Sequence, residues 1–193
     1  MKILWNRVAR MTVLALAIAV LHGCMKMSEL ETDKSAGLNG GFEVSKNDLP
    51  VNWIMYTPNT VKNGDFSIAM DKTVFKEGKQ SLRFDVKECA DIGGWYSPGF
   101  TNEFFEIGKF EGKGTYKISL WIKNHGTKFR LRGGGVTAKT GHMEVLMESA
   151  ERIDEWTYYA YKVDVLENNH LRLELNILAP GTFWIDNIEI VKQ

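Results

Sequence analysis

Residues 171–177, Leu-Arg-Leu-Glu-Leu-Asn-Ile, place an apolar side chain at every second position and a polar one between. A period of two belongs to a strand with one face in a core and one in water, because successive side chains of an extended chain point to opposite sides. The same alternation recurs along the chain. Leu82, Phe84 and Val86 oppose Ser81, Arg83 and Asp85; Tyr116, Ile118, Leu120 and Ile122 oppose Lys117, Ser119, Trp121 and Lys123. Phe129 and Leu131 oppose Arg130 and Arg132, and Tyr159, Tyr161, Val163 and Val165 oppose Tyr158, Ala160 and Lys162. Further strands are predicted near 41–44, 66–70, 103–107, 143–147 and 183–191, punctuated by Gly, Asn, Asp and Pro. Helical periodicity is almost absent. Roughly nine or ten antiparallel strands, each with one wet face, predict an all-β fold of two packed sheets, a jelly-roll sandwich.

Within 183–191 the alternation slips. Phe183 and Ile185 share one parity, whereas Ile188 and Ile190 share the other. An extra residue at Asp186-Asn187 is what a β-bulge inserts, and bulges re-aim side chains. Asp186 is therefore either a ligand for a hard cation such as calcium or the polar end of a ladder turning to solvent. Gly133-Gly134-Gly135 lacks the Lys and Ser/Thr of a phosphate loop and reads as a bulge or turn.

The chain begins with three basic residues, Lys2, Arg7 and Arg10, followed by an apolar run over 11–21 and then Gly23-Cys24. That run is too short to cross a bilayer, which takes roughly 20 apolar residues. The pattern resembles a bacterial lipoprotein leader, 1–23, with Cys24 as the acylated residue. Residues 24–38 are polar and predict a flexible tether, which leaves 39–193 as a single domain. The formal charge of the whole chain is zero, with 24 Lys and Arg against 24 Asp and Glu; loss of the leader's three cations leaves the remainder mildly acidic. This balance, without a basic cluster, argues against nucleic acid and against electrostatic docking on anionic lipid. Membrane contact is then through the lipid anchor only. With Cys24 acylated, Cys89 has no partner for an intramolecular disulfide.

Read in order, Asn39-Gly40-Gly41-Phe42-Glu43, Pro50, Trp53, Gly78-Lys79-Gln80-Ser81-Leu82-Arg83-Phe84, 116–123, Trp156 and Phe183-Trp184-Ile185-Asp186-Asn187-Ile188 resemble carbohydrate-binding modules of the family 4, 9 and 22 type. The resemblance implies a galactose-binding-like jelly roll and a glycan ligand. It also implies a structural calcium between the first and last strands, with Glu43 and Asp186 at the acidic ligand positions and backbone carbonyls near Gly41 and 79–81 completing the shell. Trp53, Trp156 and Trp184 fall at fold-marking positions, which implies packing roles.

Sugar rings are recognised by flat aromatic faces with polar groups alongside. Trp121, Tyr158, Arg130, Arg132, Arg172, Glu174 and Asn176 all have outward parity, and one concave sheet face could gather them, with Trp95 and Tyr96 at its rim. For Trp121 the alternative is packing under a loop, and for Trp95 it is plugging the sandwich end. No catalytic set is recognisable: His125, His142 and His170 lack metal spacing, and no nucleophile elbow occurs. The preferred expectation is a lipid-anchored, non-catalytic glycan-binding module in the bacterial cell envelope, at the outer membrane. An adhesin-like or assembly protein with cell-envelope protein partners is the first alternative, and a glycan-active hydrolase or lyase the second.

Overall fold

The computed structural model describes residues 29–102, 110–137 and 140–193. Its strands are β1 (Ser45–Lys46), β2 (Leu49–Pro50), β3 (Trp53–Tyr56), β4 (Gly64–Asp71), β5 (Ser81–Cys89), β6 (Gly99–Asn102), β7 (Gly114–His125), β8 (Phe129–Val136), β9 (Gly141–Ser149), β10 (Ile153–Val165), β11 (His170–Ile177) and β12 (Gly181–Lys192). Two antiparallel five-stranded sheets form a sandwich. The front sheet runs β3-β6-β11-β8-β9 and the back sheet β10-β7-β12-β5-β4, while β1 and β2 pair separately.

The alternating stripes meet between these layers. Leu171, Leu173, Leu175 and Ile177 from the front sheet, and Ile118, Leu120 and Ile122 from the back sheet, are fully buried in one cluster. Aromatic rings bridge the layers, with Phe129 and Phe183 centroids 4.8 Å apart and Phe84 and Phe100 at 6.4 Å. Full burial of such a side chain contributes roughly 1.5–3 kcal/mol, so this core holds the fold without a disulfide. Cys89 is free and half-buried.

The slip in the last strand is a register shift between Asp186 and Glu189 in the pairing of β12 with β7, and Asn187 has φ 47° there. The predicted strand at 41–44 does not form. Phe42 takes φ 56°, and the segment instead turns inward, with its ring fully buried against Trp53. The glycine triplet is not a turn but part of β8: a Cβ on Gly133 would lie 2.8 Å from Leu146 Cδ1, and one on Gly135 3.2 Å from Val165 Cγ1. Glycine there admits side chains from β9 and β10. The strand predicted at 103–107 lies outside the described residues.

The tether expected at 24–38 is docked onto the domain from Glu29 onward. Glu29 exchanges backbone hydrogen bonds with Met55 at 2.8 and 2.6 Å, which adds a bridge to the outer edge of β3. Asn52 then holds the returning chain: its backbone N–H donates to the Glu31 carbonyl, and its side-chain amide donates to the carbonyls of Asp33 (2.6 Å) and Gly37 (2.9 Å). Low hydrophobicity does not release the segment, because a fully buried asparagine of the domain satisfies its backbone. Cys24 and the leader lie outside the described residues.

Candidate functional site

Strand pairing places the outward side chains of the front sheet in rows. Tyr56, Gly99, Asn176, Arg130 and Glu148 form one row, and Ile54, Thr101, Glu174, Arg132 and Val145 the next. Arg172 follows beside Gly134. Adjacent strands lie about 4.8 Å apart and successive rows roughly 6.6 Å, so long charged side chains of one row or of neighbouring rows fall within mutual reach.

Glu174 is the centre of this face. It is 8% exposed, Arg132 Nη1 stands 3.7 Å from its Oε1, and the Tyr56 hydroxyl lies 3.4 Å from its Oε2. Burial raises its carboxyl above the ordinary glutamate range, and the positive charges of Arg132, Arg172 and Arg130 only partly counter that. The Tyr56 phenol is likewise pushed up, first by burial and then by the Glu174 charge. At the β9 edge the balance reverses. Glu148 receives Arg130 Nε at 2.6 Å and Lys128 Nζ at 3.1 Å, and these hydrogen bonds hold its carboxyl low.

Trp95 and Tyr96 sit on a 3-10 turn, Gly94–Tyr96, at one end of this face, and are 46% and 57% exposed. The turn is fastened to the sheet by Asn176, whose Oδ1 accepts from Gly94 N–H at 2.9 Å and whose Nδ2 donates to the Gly94 carbonyl at 3.0 Å. Asn176 is 1% exposed, so its polar groups face the turn rather than a ligand. Its expected role as a contact residue is corrected accordingly.

Trp121 and Tyr158 do not belong to this face. They are register partners on β7 and β10, with rings 5.3 Å apart, on the outer surface of the back sheet. The single face predicted for all the outward residues is therefore corrected to two, on opposite sides of the molecule. Alternation tells which residues leave the core but not which sheet they leave by, because that depends on pairing between distant strands. Lys76 Nζ lies 4.1 Å from the Trp121 ring centroid and caps it from the loop after β4. Trp53 is fully buried and Trp156 half-buried. Trp184 is buried outside the sandwich core, with Nε1 donating to Asp71 at 2.9 Å and Arg83 stacked 5.3 Å from its ring. Tyr56 escaped the sequence reading because the short run Trp53–Tyr56 carries no clear alternation.

Glu43 and Asp186 converge on the loop at 76–80. Glu43 Oε1 accepts from the backbone N–H groups of Lys79 (2.9 Å) and Gln80 (3.3 Å). Asp186 Oδ2 accepts from Lys76 (2.8 Å) and Glu77 (3.1 Å), and its Oδ1 from Asn187 (2.7 Å). Asp186 is fully buried, and burial together with the charge of Glu43 raises its carboxyl against the pull of those amides. Both carboxylates are taken up by backbone N–H groups, so a calcium ion there would compete with those donors. Among the described residues no three Asp, Glu, His or Cys side chains gather, so the remaining ligands would have to be backbone oxygens or water.

The sequence matches no family model and no curated protein. Solved structures do match. The CBM22-1 xylan-binding domain of Paenibacillus barcinonensis Xyn10C is similar with a TM-score of 0.55 at 14% identity, covering 79% of this chain and 91% of that one. The CBM22-1 and GH10 modules of Clostridium thermocellum endo-1,4-β-D-xylanase 10B, complexed with xylohexaose, give 0.56 at 19% identity, covering 79% of this chain and 28% of that one. The enzymatically active domain of bacteriophage CBA120 tailspike protein 4 gives 0.56 at 15% identity, covering 80% of this chain and 21% of that one. At these identities the shared property is the jelly-roll sandwich.

Proposed function

We propose that this chain is a non-catalytic glycan-binding module, held in the bacterial cell envelope by lipid on Cys24, that lays a poly- or oligosaccharide across the front sheet. The observation that carries the reading is one outer face on which Tyr56, Arg130, Arg132, Arg172 and Glu174 lie beside two exposed aromatic rings. Hydroxyl groups of a sugar are met by guanidinium donors and a carboxylate acceptor, and its apolar ring face by Trp95 or Tyr96. The fold is shared with modules that bind xylan, which supports a saccharide ligand while leaving its identity to experiment. The anchor rests on the sequence of 1–24. Glu43 and Asp186 would hold a calcium ion that ties the segment before β1 to the last strand.

A glycan array probed with the full chain in detergent tests the binding, with xylan oligosaccharides, other plant and bacterial polysaccharide fragments and host glycans as separate panels. Retention on at least one panel, lost in Arg132→Ala, supports the reading. A blank array gives precedence to the protein-binding alternative.

A further inference from the structure

The turn that carries Trp95 and Tyr96 is built rigidly while its two rings are left in water. Inside the turn, Ser97 Oγ donates to the Ala90 carbonyl and accepts from Gly93 N–H at 2.9 Å, and just after it the Pro98 carbonyl accepts from the N–H of Ile177 on β11 at 2.8 Å. Two further ties reach the sheet. One is the ionic chain from Asp91 through Lys128 (2.7 Å) to Glu148 (3.1 Å) and Arg130 (2.6 Å). The other is the pair of hydrogen bonds between Asn176 and Gly94. The first is largely exposed, and exposed ion pairs contribute little, about 0–1 kcal/mol. The second is buried, and a buried hydrogen bond is the costlier one to lose. Gly93 shows how closely the turn is seated: it has φ 93°, and a Cβ there would stand 3.2 Å from Asn176 Oδ1 and 3.3 Å from Arg130 Nη1.

We infer that Asn176 is a positioning residue, which sets the Trp95–Tyr96 turn as a preformed aromatic wall so that saccharide affinity depends on a side chain that never touches the saccharide. The inference rests on the glycan reading for its ligand, but its structural half does not. A turn held in place before binding spares the ligand the entropy of ordering the backbone that carries the two rings, and this raises affinity without adding a contact. The asparagine amide suits the task because it presents one acceptor and one donor side by side, matching the N–H and C=O of a single glycine.

The experiment uses the full chain in detergent, labelled with 5-fluorotryptophan, with the Trp95 resonance assigned by Trp95→Phe. Asn176→Ala and Asn176→Asp should both shift or broaden the Trp95 resonance while those of Trp53 and Trp184 stay in place, which also reports that the variants are folded. Calorimetry with xylohexaose should show roughly a tenfold weaker affinity in Asn176→Ala and in Trp95→Ala. Adding Asn176→Ala to Trp95→Ala/Tyr96→Ala should weaken binding no further, since the asparagine acts through the two rings. An unmoved Trp95 resonance in both Asn176 variants overturns the inference, and so does a further loss on adding Asn176→Ala to the variant that lacks both rings. If xylohexaose gives no heat with the wild type, this saccharide is not the ligand, the affinity comparison passes to a glycan retained on the array, and the fluorine spectra decide the positioning by themselves.

Discussion

Tyr56 and Glu174 meet on the outer face of the front sheet, hydroxyl to carboxylate at 3.4 Å, across the intervening strand β6. The contact is long for a hydrogen bond, and Glu174 is buried with only partial relief from its arginines. Its carboxyl therefore stays protonated to a higher pH in the folded chain than in the unfolded one.

The sign of the pH dependence follows. Between the unfolded glutamate value, about 4.3, and the raised folded value, the folded state binds more protons, so stability falls as pH rises through that window. Above that window ionised Glu174 is a cost. Glu174→Gln keeps an acceptor for Tyr56 and removes the charge, and should raise the Tm there. The advantage should disappear below the folded value, where the wild-type group is already neutral. Melting curves from pH 4 to 8 check this; a loss of stability at pH 7 would mean that attraction to Arg132 outweighs burial.

Asn52 joins residues 31–37 to the domain, and its own backbone sits at φ 70°. Asn52→Ala should cost roughly 2–4 kcal/mol, combining lost buried hydrogen bonds with a strained φ. Asn52→Gly relieves the backbone but not the amide, and should recover about 1 kcal/mol of that loss. Hydrogen exchange localises the effect: protection of the Met55 amide, which donates to Glu29, should fall in both variants. Unchanged protection would show that the docked segment holds without Asn52.

The core was legible in the sequence because burial there follows parity alone. Every residue of the stripes at 116–122 and 171–177 assigned inward is fully buried. The bulge at Asp186 was legible for the same reason, as a break in parity. What parity does not encode is the partner strand: Trp121 and Arg132 have the same outward signature, yet β7 and β8 belong to different sheets. Asn176 failed as a contact residue on a subtler ground, since its outward side chain is covered by a turn from 93–97 that is remote in sequence. The docked segment at 29–38 was missed because its stability comes from asparagine hydrogen bonds and not from apolar burial.

The paired carboxylates at the loop 76–80 give the metal proposal a direct test. A calcium ion bound only to the folded state stabilises it by mass action, about 2.7 kcal/mol at a hundredfold excess over Kd. A chelator should therefore lower the Tm of the wild type, and Glu43→Gln or Asp186→Asn should abolish that response. A Tm indifferent to chelation assigns the charge of both groups to the backbone amides of 76, 77, 79, 80 and 187.

Because the aromatic candidates lie on opposite sheets, truncating them separates binding from packing. Trp95 is half in water on a turn whose Gly93 is seated against Asn176 and Arg130. Trp95→Ala should leave Tm within about a degree or two of the wild type and reduce affinity for a retained glycan roughly tenfold. Trp121 is half-buried under Lys76 on the back sheet, and Trp121→Ala should lower Tm by several degrees, about 1–2 kcal/mol, with affinity unchanged. Trp53→Ala, at the fully buried end of the scale, should cost about 3–5 kcal/mol. If Trp121→Ala abolishes binding while Trp95→Ala spares it, the saccharide lies on the back sheet, across Trp121 and Tyr158, and the front-sheet assignment fails.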